Sequence, residues 1–220
     1  MKAMSWKVIV SVVGLAALTL ACTTLSSLPN LGGGVSSLFS DDFSDSASGW
    51  GAGTDTDSSV EYANSALQFQ VFTSKFFTWS TPGEAVYENI HIEAAVKNDS
   101  ADPLSTMGVI CFEQGKSTSF YYLGVAADGY YTISISADGQ KDVSLKNGTS
   151  TLVPSDNQTF TLGADCGNGQ LALYVNGQLV DSVQDATYAS GRVGLFTSSN
   201  DQPNGVNVTF DDFVVTSLPK

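Results

Sequence analysis

Ala66-Leu67-Gln68-Phe69-Gln70-Val71-Phe72 alternates apolar and polar side chains almost without a break. A repeat of two sets Leu67, Phe69 and Val71 on one face of an extended chain and Gln68 and Gln70 on the other. A helix would scatter those apolar positions around its axis. The segment therefore predicts a strand with one face on a core. Ile90-His91-Ile92-Glu93-Ala94-Ala95-Val96 repeats the pattern. The same reading predicts strands over 106–112, 119–126, 130–136, 159–165, 170–175, 192–197 and 206–215.

Turn chemistry separates these runs. Asp128-Gly129, Asp138-Gly139, Asn147-Gly148, Asn168-Gly169, Asn176-Gly177 and Asn204-Gly205 are pairs that accept the positive φ of tight hairpins. No later stretch carries an amphipathic helix. Many short strands at this spacing predict an all-β sandwich or barrel.

The first residues follow a different logic. Lys2 and Lys7 precede an apolar run, Val8 to Leu20, broken by few polar residues. It is shorter than the ~20 residues that span a bilayer, and it ends on Ala21-Cys22. This arrangement resembles a bacterial lipoprotein signal. The resemblance implies a signal peptide over 1–21 and lipid on Cys22, which then becomes the mature N-terminus. It places the protein on the extracytoplasmic face of a cell membrane, anchored by that lipid. The alternative is an ordinary secretory signal with an incidental cysteine. Residues 22–40 are rich in Ser, Thr, Gly and Leu, with Gly32-Gly33-Gly34 in the middle, and predict a flexible tether.

The rest suits one domain. The chain of 220 residues carries 9 Lys and Arg against 22 Asp and Glu, a net charge of -13. Removing Lys2 and Lys7 leaves 7 against 22, or -15. No basic cluster is present, which argues against nucleic acid as a partner. An acidic exported domain suits solubility, cations or neutral ligands such as glycans.

The order of motifs then points to a family. Asp41-Asp42-Phe43 with Trp50 opens the domain, and Phe210-Asp211-Asp212-Phe213 closes it. Met107-Gly108-Val109-Ile110-Cys111, Phe120-Tyr121-Tyr122-Leu123, Leu173-Tyr174-Val175-Asn176-Gly177 and Gly191-Arg192-Val193-Gly194-Leu195 lie between. This order resembles the concanavalin A-like lectin/glucanase superfamily, in particular its laminin-G-like and 3-keto-disaccharide hydrolase-like domains. The resemblance implies a two-sheet antiparallel jelly roll over 41–217, with one concave sheet and the first and last strands adjacent.

Cys111 and Cys166 remain once Cys22 is assigned to lipid. An even pair in an exported domain reads most simply as a disulfide, and related domains carry a pair at these places. Two buried thiols are the alternative. A zinc site is disfavoured, because no histidine stands near them.

Catalytic patterns are scarce. Retaining glucanases of this superfamily carry carboxylates at alternate positions of one strand, whereas Glu93 and Glu113 each stand alone here. His91 is the only histidine, and no Gly-x-Ser-x-Gly elbow occurs. Aromatic residues are plentiful, and sugar faces stack on rings. Phe120 and Tyr122 share one strand face, opposite Tyr121, Leu123 and Val125. With Trp50 and Trp79 of the Phe76-Phe77-Thr78-Trp79 segment, they are the candidate ligand contacts. Trp50 has a second reading, as a plug at one end of the sandwich.

The resemblance also brings Asp41, Asp42, Asp211 and Asp212 together at adjacent strands. They read either as ligands of a structural calcium or as solvent-facing and turn-capping residues. Three functions follow as expectations. The first is a non-catalytic tethered module that binds carbohydrate or a cell-surface polymer through the concave sheet. The others are a hydrolase or lyase of the 3-keto-disaccharide type and a purely structural surface lipoprotein.

Overall fold

The computed structural model describes residues 37–219 apart from residues 116 and 156. The signal peptide, Cys22 and the tether up to residue 36 lie outside the described residues. Strands without helices make up the described domain, in two antiparallel sheets.

The nine-stranded sheet runs β13 (Gln178–Gln184), β12 (Gln170–Val175), β11 (Phe160–Gly167), β6 (Ile90–Asn98), β15 (Val206–Ser217), β4 (Ala66–Val71), β3 (Ser58–Ala63), β2 (Gly53–Thr54). The ninth strand, β1 (Ser37–Asp41), also pairs with β15. The six-stranded sheet runs β10 (Val143–Thr149), β9 (Tyr130–Ser136), β8 (Phe120–Ala126), β7 (Thr106–Glu113), β14 (Arg192–Ser198), β5 (Phe77–Ser80).

The alternating pattern explains how the sheets meet. Leu67, Phe69 and Val71 of β4 are fully buried, with Ile90, Ile92, Ala94 and Val96 of β6 and Leu162 and Ala164 of β11. From the other sheet, Val109, Tyr121, Leu123, Val125, Ile133 and Leu195 join the same core. Cys111 on β7 and Cys166 on β11 face each other across this core and form a disulfide, Cα atoms 6.4 Å apart. The bond thus ties one sheet to the other.

Strand β15 serves two partners along one edge. Its first half pairs with β4 and its second half with β1. Between them the register shifts, and Asp212 adopts a positive φ of 48°. Such a bulge bends the strand and lets the partner change. The tether expectation is corrected here: residues 37–40 belong to β1, because their backbones pair with residues 214–216. First and last strands are adjacent, as the resemblance implied.

The turn pairs divide. Asn168 and Gly169 have φ of 52° and 71°, and Asn176 and Gly177 have 50° and 72°. Both pairs close two-residue hairpins, β11–β12 and β12–β13, of the type that requires two positive φ angles. Asn147-Gly148 is no turn. It lies within β10, paired with Thr132 and Tyr131. A Cβ at Gly148 would approach the Tyr131 hydroxyl to 2.8 Å, so the glycine serves close ring packing.

Candidate carbohydrate face

The outer face of the six-stranded sheet carries rings where a solvent-facing sheet would carry polar residues. Alternation on β5 sends Phe77 and Trp79 outward. On β8 it sends Phe120 and Tyr122 outward, and on β14 it sends Phe196 outward. Phe196 lies opposite Trp79 on one side and Gly108 on the other, and Gly108 lies opposite Gly124. A Cβ at either glycine would come within 2.7 Å of the Phe196 ring. The paired glycines therefore clear a bed on which that ring lies.

The other rings gather above this bed. Phe77 stacks on Phe196 at 4.8 Å and 12°. Tyr122 meets Phe196 edge-on at 5.5 Å, and Trp79 sits 5.6 Å from Phe120. Strands β14 and β7 separate β5 from β8, a backbone span of roughly 14 Å at normal strand spacing. Phe77 and Phe120 nevertheless approach to 5.9 Å, because their side chains lean toward each other. Offset and edge contacts of this kind add to simple burial. Phe120 is only 3% exposed and Phe196 is fully buried, while Trp79 is 37% exposed. The buried rings are the floor and Trp79 is the part open to solvent.

Polar groups border the rings. The Tyr122 hydroxyl donates to Asp142 Oδ2 at 3.1 Å. Burial pushes its pKa up to about 12, with the Asp142 charge adding and a Ser134 hydrogen bond opposing. The phenol is therefore neutral at ordinary pH. Thr132 and Ser134 hydroxyls, 2.6 Å apart, continue the face on β9.

Three sequence candidates thus meet on one face: Trp79, Phe120 and Tyr122. Trp50 does not join them. It is 5% exposed, packs against Phe43 and Phe213 at 5.3 and 5.0 Å, and donates from Nε1 to Asp41 Oδ2 at 2.8 Å. It plugs one end of the core, so the ligand-contact expectation for Trp50 is corrected. Phe120 is likewise a support beneath Trp79 rather than an exposed contact. Phe196 and the glycine bed escaped the sequence reading. The signal was present as Gly108, Gly124 and Phe196 at outward positions of three strands, but only the strand order makes them neighbours.

The aspartate pairs do converge, with Asp41 opposite Phe213 across β1 and β15. Some of their oxygens accept local hydrogen bonds. Asp41 accepts from the Phe43 N–H at 2.8 Å and from Trp50, and Asp42 accepts from the Ser44 N–H and hydroxyl. Asp211 accepts from the Asp212 N–H, and burial, with Asp212 and Asp42 adding, pushes its carboxyl pKa up. Among the described residues no group of three or more His, Cys, Asp or Glu forms a metal-binding set. Asp41 and Asp42 thus cap the turn that follows β1.

Neither Glu93 nor Glu113 stands among the rings. Outward positions on β7 hold Thr106, Gly108 and Ile110. Glu113, at the end of β7, is 3% exposed and ion-paired to the Arg192 Nε. Arg192 also reaches Glu84 at 2.7 Å. Glu93 lies on the other sheet, on the outward face of β6, where its Oε1 is 3.2 Å from His91 Nε2. His91 Nδ1 is 2.6 Å from Asp165 Oδ1, and Tyr174 donates to Asp165 Oδ2 at 2.7 Å. Sequence reading missed Asp165 and Tyr174 as partners of His91. They are cross-strand neighbours 74 and 83 residues away, and the chain order gives no hint of that.

Solved structures show the same architecture. The carbohydrate binding module CBM66 from Bacillus subtilis superposes with a TM-score of 0.62 at 14% identity, covering 77% of this chain and 96% of that one. The Bacillus licheniformis β-glucanase gives 0.60 at 13%, covering 83% and 98%. A Bacillus subtilis protein of unknown function with a galectin-like fold gives 0.59 at 9%, covering 82% and 96%. The domain is an all-β, two-sheet jelly-roll sandwich like these structures. No protein-family model and no curated protein matches the chain. At these identities the jelly roll is shared and its ligand is not thereby fixed.

Proposed function

We propose that this protein is an exported module, tethered to the membrane by lipid on Cys22, that binds neutral carbohydrate on the ring-bearing face without cleaving it. One observation carries the reading: the partly exposed Trp79 stands over a floor of Phe120, Phe77 and Phe196, bordered by hydroxyls. An exposed indole on a rigid apolar floor offers a flat partner for a sugar ring, and hydroxyls beside it orient the ring. That similar folds include a carbohydrate binding module and a β-glucanase supports a saccharide as the ligand class. The net charge of -13 disfavours acidic polymers.

The proposal of binding without cleavage rests on Glu93 and Glu113, the two glutamates singled out in the sequence. Two-carboxylate hydrolysis needs both groups flanking one bond, about 5–10 Å apart. Glu113 is held by Arg192, and Glu93 is on the opposite side of the sandwich. The anchor rests on Cys22 and the apolar run before it. Expressed with its N-terminus intact, the protein should partition into detergent, and Cys22→Ala should move it to the aqueous phase. Partitioning that survives the substitution would remove the anchor. For the ligand, the soluble head should retain neutral polysaccharide in affinity electrophoresis and release no reducing sugar from it.

A further inference from the structure

A pocket of about 340 Å³ adjoins the ring-bearing face. Its floor is the cross-strand row next to that of Trp79, Phe196, Gly108 and Gly124. In that row Ser198 lies opposite Phe77 and Thr106, and Thr106 lies opposite Ala126. Asp128, Tyr130 and Asn200 stand around it. The volume is at the lower end of the ~300–1,000 Å³ typical of small-ligand sites. It suits one sugar residue.

The lining is built for hydroxyl groups. Among the described residues, the Thr106, Ser198 and Tyr130 hydroxyls and the Asn200 amide have no hydrogen-bond partner within the protein. Asp128 Oδ1 accepts from the Tyr130 N–H at 2.9 Å, which leaves Oδ2 available. The walls are held from beneath. Asp102, 2% exposed, accepts from the Leu104 N–H at 3.0 Å and from the Asn200 N–H at 3.3 Å. The Asn200 carbonyl accepts from the Lys75 N–H at 2.7 Å. One buried carboxylate thus fixes the Leu104 and Asn200 loops at one side of the pocket. Such support from a second layer of contacts keeps polar groups aimed at a ligand.

We infer that this pocket is a hydrogen-bonding subsite for one sugar residue of a neutral oligosaccharide whose neighbouring residue stacks on Trp79 and Phe77. The inference rests on the carbohydrate reading above. It assigns Asn200, Tyr130 and Asp128 to reading the sugar's hydroxyls, and the rings to holding its neighbour. The ligand is then at least a disaccharide. The Asp128 carboxylate would repel a uronic acid and accept from paired hydroxyls.

The test is calorimetric titration of the soluble head with cellotetraose, laminaritetraose and mannotetraose, for wild type, Asn200→Ala, Tyr130→Phe and Trp79→Ala. Thermal unfolding of each variant checks that it folds. For the tetrasaccharide that binds, Asn200→Ala and Tyr130→Phe should each weaken affinity roughly three- to tenfold, the effect of losing one hydrogen bond. The corresponding monosaccharide should bind at least ~100-fold more weakly than the tetrasaccharide, since it cannot hold both places at once. Pocket variants that bind like wild type while Trp79→Ala loses binding would overturn the subsite and leave the carbohydrate face standing. No binding by wild type to any of the three would overturn the carbohydrate reading, and the subsite with it.

Discussion

Phe77 stacks on Phe196 with ring centroids 4.8 Å apart and planes within 12° of parallel. That pair exists because two glycines leave room beneath it. A Cβ at Gly124 would fall 2.7 Å from both the Met107 carbonyl oxygen and the Phe196 ring. Backbone cannot yield cheaply, so the ring must rise. Gly124→Ala should cost about 1–3 kcal/mol of stability, as overpacking does, and should weaken carbohydrate binding by displacing the floor under Trp79. Chemical denaturation checks the first effect and titration the second. Wild-type stability in this variant would contradict the packing described.

The Cys111–Cys166 bond closes a loop with a sequence separation of 55 and ties the sheets together inside the core. In the chain-entropy model a loop of this length contributes about 4 kcal/mol. The double variant Cys111→Ala/Cys166→Ala should unfold at correspondingly lower denaturant. Because both sulfurs are buried, thiol reagents should not label them in the native protein even with mild reductant present. Rapid labelling under those conditions would count against a buried bridge.

His91 gives the domain a defined pH response. Its hydrogen bond to Asp165 raises its pKa above the usual 6.5, against burial, with Glu93 adding. Burial alone would raise Asp165, but hydrogen bonds from His91 and Tyr174 outweigh it and lower the carboxyl below 3.8. A raised base stabilises below its unfolded pKa and loses that contribution as pH climbs through the folded value. A lowered acid stabilises above its unfolded pKa and loses that contribution as pH falls through the folded value. The pair therefore contributes fully between 3.8 and 6.5. Melting temperatures of wild type and His91→Gln should differ most near pH ~5 and converge as pH rises past the raised folded-state value of His91. A difference independent of pH would contradict the ion-pair account.

Much of the fold was legible before the structure because burial on one face writes itself as alternation. Strands β4, β6, β7, β8, β9, β11, β12, β14 and β15 all lie on predicted runs. The strands that went unread are β1, β2, β3, β5, β10 and β13. Four of these, β10, β5, β13 and β2, are sheet edges. An edge strand has less to bury, and β10, VSLKNGT, alternates only over its first four residues and has no fully buried position. Strand β5 misled for another reason. Its large residues, Phe77 and Trp79, point away from the core, so pattern alone cannot say which face they serve. The site was half legible on the same grounds. Tyr122 and Phe120 could be assigned to the outward face from Tyr121, Leu123 and Val125 on the inward one. Phe196, Asn200 and Asp165 could not, since their partners come from distant parts of the chain.

Two tryptophans separate the functional account from a structural one, since Trp50 is locked in the core and Trp79 is the open ring. The most direct measurement is titration of the folded head with neutral polysaccharide, wild type against Trp79→Ala, with melting temperature recorded for both. Removing a stacking anchor should weaken binding tenfold or more, about 1.4 kcal/mol, with a cooperative melting transition retained and no reducing sugar released. Undiminished binding by Trp79→Ala, or turnover of the polysaccharide by wild type, would contradict the account.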